Sequence, residues 1–288
     1  MATQTIKQIT IVGTGLIGGS LALALKNAAF GGRIVGCDRS EVLELALRRR
    51  AIDGAEADLE HAIAGSDLVV LATPVGCILS QLELIAPLVG PDTLISDTGS
   101  TKAKAVERAR LLFGSDASRR VLPGHPMAGK EVGGIENADA DLFRGAAWLI
   151  TPIDPTEPYS VRQQEWLEWL RVVGTRVITM DAERHDKLCA SLSHVPQMIA
   201  TALAAMLREE FGDDEALPEI GGRALREMTR IANSPYSMWR DIALTNSDNI
   251  EEALLCFEQQ LAHLRENLRG PGLREVFEIA NQFGKGSA

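Results

Sequence analysis

Residues 13–18, Gly-Thr-Gly-Leu-Ile-Gly, follow the apolar run 6–12 without a break and lead straight into an alanine- and leucine-rich stretch over 20–29. That succession leaves few folds open, because a buried parallel strand must feed a helix that packs back on it, the first unit of an alternating α/β sheet. The glycines have separate tasks: Gly13 makes the tight turn, Gly15 lets a pyrophosphate approach the backbone, and Gly18 lets helix and strand pack closely. Leu16 and Ile17 lie in the turn ahead of the helix over 20–29, whose N-terminus faces the phosphates. Alone, such a turn joins strands to helices in many α/β proteins, so its flanks decide its meaning.

A second strand over 33–37 ends in Asp38, at about the spacing from which an acidic residue bonds the ribose hydroxyls of a dinucleotide. A carboxylate there repels a 2′-phosphate and favours NAD, while Arg39 and Ser40, next in the chain, leave NADP open. Asp38 also fits as the N-cap of a helix over 41–50. The alternation continues with strands over 67–72, 93–96, 120–122, 147–151 and 176–180, and helices over 77–88 and 162–173. Ligands of such sheets bind beyond the carboxyl ends of the strands, so Thr73, Pro74, Asp97 and Ser100 are expected on one rim. Ser100 is the expected N-cap of a helix whose Lys102 and Lys104 form a solvated face.

His125 belongs to the same rim, in the glycine-flanked loop Gly124-His125-Pro126-Met127-Ala128-Gly129. Its imidazole titrates nearest neutrality, and Pro126 restricts its backbone, which suits a general base; a turn histidine that caps backbone groups fits the same residues. Beyond residue 180 helical periodicity takes over. The expected architecture is therefore a doubly wound, Rossmann-type parallel sheet over residues 1–179, followed by an all-helical domain over 180–288 for substrate and dimerisation. In the second domain His194 lies in an apolar helix with Pro196 two residues on, so a kink is expected there. Arg223, Arg226 and Arg230 recur near helical spacing, as a solvated face or, at one of them, a two-point carboxylate grip.

The net charge of −10, from 29 basic and 39 acidic residues, argues against nucleic acid as the main partner. Cys37, Cys77, Cys189 and Cys256 are scattered, with no Cys-x-x-Cys and no nearby histidine pattern, so neither a disulfide framework nor a metal site is expected. No stretch approaches about 18 uninterrupted apolar residues, and the N-terminus lacks signal-peptide zones, which points to the cytoplasm. Residues 284–288 read as a frayed end.

Taken in order, the glycine turn with Leu-Ile-Gly-Gly-Ser, Asp97-x-Gly-Ser-x-Lys102, Gly-His125-Pro-Met-Ala-Gly, Ser193-His194-x-Pro196 and Thr229-Arg230-Ile-Ala…Met-Trp239-Arg240-Asp241 resemble the prephenate and arogenate dehydrogenase family, in its short, monofunctional form. The resemblance implies an NAD-dependent oxidative decarboxylation of prephenate to 4-hydroxyphenylpyruvate in tyrosine biosynthesis, or of arogenate to tyrosine, by a homodimer acting on a small molecule. It implies that His125 is the base, that Ser100 bonds the substrate hydroxyl, that Arg230 and His194 bind substrate, and that Trp239 lies in the helical dimer region. Two positions depart from the family pattern. Gln197 stands where a histidine is common, and Lys130 stands where a small or hydroxyl residue is common, as a cation that would tilt the enzyme toward prephenate, the more anionic of the two substrates. A β-hydroxyacid dehydrogenase, with a catalytic lysine in its second domain, and a non-catalytic NAD-binding sensor are the rival expectations.

Overall fold

The computed structural model describes residues 5–214 and 216–286. Strands β1 (Gln8–Val12), β2 (Arg33–Cys37), β3 (Gly54–Glu56), β4 (Leu68–Leu71), β5 (Leu94–Asp97) and β6 (Val121–Leu122) form one parallel sheet in the order β3-β2-β1-β4-β5-β6. Its connecting helices are α1 (Leu16–Asn27), α2 (Ser40–Arg48), α3 (Leu59–Ile63), α4 (Val75–Ile85), α5 (Ala103–Phe113) and α6 (Ala117–Arg120). The central strands are apolar because both faces are covered, and Ile9, Ile11, Leu68, Val70 and Leu71 have no exposed surface. Strand order reverses between β1 and β4, so a crevice opens beside Gly13 and Thr73 at the ligand-binding end of a doubly wound sheet.

The expected single sheet is in fact two. Strands β7 (Gly124–Pro126), β8 (Ala147–Ile150) and β9 (Arg176–Thr179) form a separate three-stranded sheet, antiparallel between β7 and β8 and parallel between β8 and β9. His125 thus sits in a short edge strand opposite Leu149, not in a loop. Pro126, which has no N–H for a ladder, is tolerated at that edge. Gly124 is required by close approach, since a Cβ there would lie 2.6 Å from the Trp148 indole nitrogen. Helix α7 (Val161–Val172) packs on this sheet and starts with a Ser160–Gln163 capping box.

Every described element after β9 is helical: α8 (Ala182–Cys189), α9 (Val195–Phe211), α10 (Ala216–Ile220), α11 (Gly222–Arg230), α12 (Tyr236–Thr245), α13 (Ser247–Glu266) and α14 (Gly272–Gly286). Between α8 and α9 the kink expected near Pro196 takes the form of a π-helical turn, Ala190–His194, with the proline in the first turn of α9 where its missing N–H costs least. The run Ala182–Phe211 is long and apolar enough to cross a bilayer by length and composition. It carries His185, Asp186 and His194, all buried within the protein. The tail is helical as far as Gly286, and Ser287 and Ala288 lie outside the described residues.

Candidate functional site

Gly13 has φ +92°, and a Cβ there would meet the Ala72 carbonyl oxygen at 2.7 Å; a Cβ at Gly18 would meet the Gly13 carbonyl oxygen at 2.0 Å. These two glycines are demanded by the chain's own packing. Gly15 is different: nothing lies within 4 Å of its absent side chain, so the open space above the turn is room for a ligand. Helix α1 starts there with no side-chain cap and no acidic residue in its first turn, a bare positive end suited to a phosphate. The half-buried Asp38 accepts from the Thr14 amide at 2.8 Å and from the Arg39 amide at 2.8 Å, so its carboxylate braces the turn it faces. Thr73 packs its methyl over Gly13 and donates its hydroxyl to Gln81 at 2.7 Å, and Pro74 precedes α4.

Leu16 and Ile17, at the start of α1, also line a cavity of about 430 Å³ that collects Ser100, His125, Lys130, His194, Arg230 and Trp239. A larger groove of about 750 Å³, bordered by Lys104, Arg110 and Asp248, contains no histidine and no part of the glycine turn. The smaller cavity is therefore the chemical one.

Behind His125 lies a chain of buried polar groups. Its Nδ1 is 2.9 Å from His185 Nε2, and His185 Nδ1 is 2.8 Å from an Asp186 oxygen. A carboxylate only accepts, so the proton on His185 belongs on Nδ1; its Nε2 then accepts from His125 Nδ1–H, leaving His125 Nε2 with a lone pair. Burial, reinforced by the neighbouring His185, Lys102 and His194, holds the His125 pKa well below the usual histidine range. The ring is thus neutral at neutral pH, with its Nε2 lone pair free to accept a proton. Burial also lowers His185, against the opposing pull of Asp186.

Neither His185 nor Asp186 stands out in the sequence, where helical periodicity is all that marks this stretch. The one available signal is spacing: His185 lies one turn before Cys189, on the same face. Lys102 overturns an expectation directly. Instead of a solvated face it has no exposed surface, pairs with Asp97 and donates to the Gly124 carbonyl at 2.8 Å. Asp97 Oδ1 is therefore committed to a buried cation and to the Gly99 amide at 2.7 Å. Ser100 is not the cap of α5 either. The Asp186 carboxylate takes that role from across the molecule, accepting from the amides of Lys102 at 2.7 Å and Ala103 at 2.9 Å.

On the facing wall, Asn246 donates to His194 Nδ1 at 3.3 Å, which places the His194 proton on Nε2. That N–H and the Trp239 indole N–H are both buried without a hydrogen-bond partner. Arg230 pairs with Glu131, while Arg223 pairs with Glu227 on the solvent side of α11. Lys130 is held outward by the Asn137 carbonyl at 3.0 Å and Asp139 at 3.4 Å. Gln197, expected to touch substrate, does not line the cavity; its amide donates to the Ile231 carbonyl at 2.9 Å and so anchors the residue after Arg230.

A glycine-turn crevice of Rossmann type leading into a cavity with a neutral buried histidine, walled by a helical second domain, defines a dinucleotide-dependent dehydrogenase. The comparisons narrow this further. The family model "Prephenate dehydrogenase, nucleotide-binding domain" matches residues 21–179, and "Prephenate dehydrogenase, dimerization domain" matches residues 181–281. The chain is 34% identical to a prephenate dehydrogenase of Lactococcus lactis subsp. cremoris over 89% of this chain and 70% of that protein. It is 35% identical to one from Bacillus subtilis, over 84% of this chain and 65% of that protein. It overlays a crystal structure of prephenate dehydrogenase from A. aeolicus in complex with hydroxyphenyl propionate and NAD+, with a TM-score of 0.83 and 30% identity over 99% of this chain and 97% of that one. The chain belongs to the prephenate dehydrogenase family.

Proposed function

We propose that this chain catalyses the NAD-dependent oxidative decarboxylation of prephenate to 4-hydroxyphenylpyruvate, in the cytoplasm, as a homodimer joined through residues 180–288. The observation that carries the proposal is the cavity, where a neutral buried base faces two partnerless N–H donors, His194 Nε2 and Trp239 Nε1. A buried donor without a partner costs about 1–3 kcal/mol, and a carboxylate-bearing ligand relieves both. Prephenate and arogenate each offer two carboxylates, and prephenate lacks the ammonium group that arogenate carries.

Residues 1–179 would hold the dinucleotide, with its pyrophosphate over Gly13, Gly15, Leu16, Ile17 and Gly18 and its ribose at Asp38, bordered by Arg39, Thr73 and Pro74. Bound nicotinamide supplies the hydride acceptor. Ser100 bonds the 4-hydroxyl of the substrate ring, and His125 Nε2 takes its proton. The imidazolium that forms is held by His185, whose far side is fixed by Asp186, so the charge develops against groups already in place. Carbon dioxide leaves as the ring becomes aromatic. Arg230 grips a carboxylate by exchanging Glu131 for substrate. Lys130 reaches a substrate carboxylate only by leaving Asp139, where it would disfavour the ammonium group of arogenate, and Gln197 acts by holding the Arg230 segment.

The test is reduced-nicotinamide absorbance with NAD or NADP, and prephenate or arogenate, in all four combinations. NAD with prephenate is expected to give the highest kcat/KM. A higher value with arogenate would reassign the substrate, and no turnover with either would overturn the proposal.

A further inference from the structure

The side of His125 turned away from the cavity meets a third potential ligand. Cys189 Sγ lies 3.8 Å from His125 Nδ1 and 3.6 Å from His185 Nε2, and the two ring nitrogens are 2.9 Å apart. Tetrahedral zinc, with bonds of about 2.0 Å to nitrogen and 2.3 Å to sulfur, sets its ligands about 3.3 Å apart for N···N and about 3.5 Å for N···S. The observed triangle matches to within a few tenths of an ångström. From these three atoms and their surroundings we infer that His125 Nδ1, His185 Nε2 and Cys189 Sγ form a binding site for a soft divalent cation of the zinc class, whose occupation switches the base off.

Three further features fit this. Asp186 accepts from His185 Nδ1, the carboxylate–histidine arrangement that fixes a metal-binding imidazole. Charge also balances. The buried cluster holds the carboxylates of Asp97 and Asp186 against a single ammonium, Lys102, so it lacks one positive charge. Adding a divalent cation and losing the thiol proton brings three negative charges against three positive ones. Imidazole and thiolate are, finally, the ligand set that selects zinc over magnesium or calcium.

The protons balance as follows. Cys189 releases its thiol proton to solvent as the sulfur–metal bond forms. His125 stays neutral, but metal at Nδ1 moves its proton to Nε2, which fills the lone pair that accepts the substrate proton. The loss of activity rests on His125 being the base, as proposed above; the site itself does not.

The experiment uses the full-length protein stripped with a chelator and titrated with Co²⁺, then Zn²⁺. One equivalent of Co²⁺ is expected to give visible bands of a tetrahedral ion and a near-ultraviolet thiolate-to-cobalt band, both removed by Zn²⁺. Cys189→Ala should lose the thiolate band and bind Zn²⁺ at least tenfold more weakly, and Cys189→Ser, closer in size, should lose the band as well. Wild-type turnover, measured against its own metal-free rate, should fall with occupancy and return on chelation. No thiolate band in the wild type, or a band that survives in both variants through the exposed Cys77 or Cys256, overturns the site. A bound metal that leaves turnover intact overturns the part that makes His125 the base.

Discussion

The two halves of the molecule bury themselves by different means. In the sheet half, strands such as Leu68–Leu71 are covered on both sides, and one of the two cores runs from Ile9 in β1 to Trp166 in α7. In the helical half the buried apolar cluster among the described residues is Ala190, Ile242 and Ile250, while Leu255, Leu261, Leu268, Phe277 and Ile279 are about half exposed or more. Beside this small apolar cluster the helical half buries polar groups, His185, Asp186, His194, Gln197, Asp241 and Asn246. Most of these groups lie along the seam with the sheet half. Asp186 caps α5, Asp241 accepts from the Gly76 amide in α4 at 3.2 Å, and Thr101 bonds Thr245 at 2.8 Å. The sheet half is held by its own interior, and the helical half by what it offers its neighbours. The apolar surface left over on α13 and α14 is where the homodimer proposed above would form.

The sharpest way to break this comparison is to separate chemistry from cofactor binding. His125→Asn removes the base but leaves the glycine turn untouched, so kcat should fall by about 10²–10⁴-fold with NAD affinity unchanged, measured by single-turnover kinetics and calorimetric titration. A parallel loss of NAD binding would show that seam and crevice are one unit. Next in size is Lys102→Met, which leaves Asp97 buried without its cation. Urea unfolding should show a loss of about 3–5 kcal/mol. A single transition would mean that the halves unfold together, and two would mean that the seam is weaker than either side.

The smallest effect is a pH dependence of the helical half. Burial, only partly opposed by Asp186, lowers the His194 pKa to about 4, whereas an unfolded chain has it near 6.5. Between these values the unfolded state takes up a proton that the folded state refuses. Stability from this group is thus complete above about pH 6.5 and is lost as the pH falls toward 4, by on the order of 3 kcal/mol. Chemical denaturation at stepped pH, repeated with His194→Gln, should show the slope in the wild type and a shallower one in the variant.

The parts legible in the sequence are those written locally. The glycine turn, Asp38 and the alternation of strand and helix depend on neighbours in the chain, and β2 was expected over the residues it occupies. Strand β3 and helix α3 escaped notice because three and five residues carry too little periodicity. The separate sheet of β7, β8 and β9 escaped because strand pairing depends on partners far along the chain. His125, His194 and Arg230 stand out by residue type and spacing, the family motifs add their roles and Trp239, and the structure brings the four together. Lys102 reads wrongly, and His185 and Asp186 pass unnoticed, for a common reason. A charged or titratable residue on a helix looks solvated until another element covers it, and their partners lie between 5 and 84 positions away.

Asp186 joins events that would otherwise be independent. The same carboxylate holds the first amides of α5 and the far nitrogen of His185, so the tautomer of His125 is set only while the helical half sits against the sheet half. A sheet half standing alone would still have a cradle for its dinucleotide, but its histidine would lack a fixed proton. Readiness to react is therefore a property of the assembled seam, and a motion that parts the halves to release product would also disarm the base until they close again.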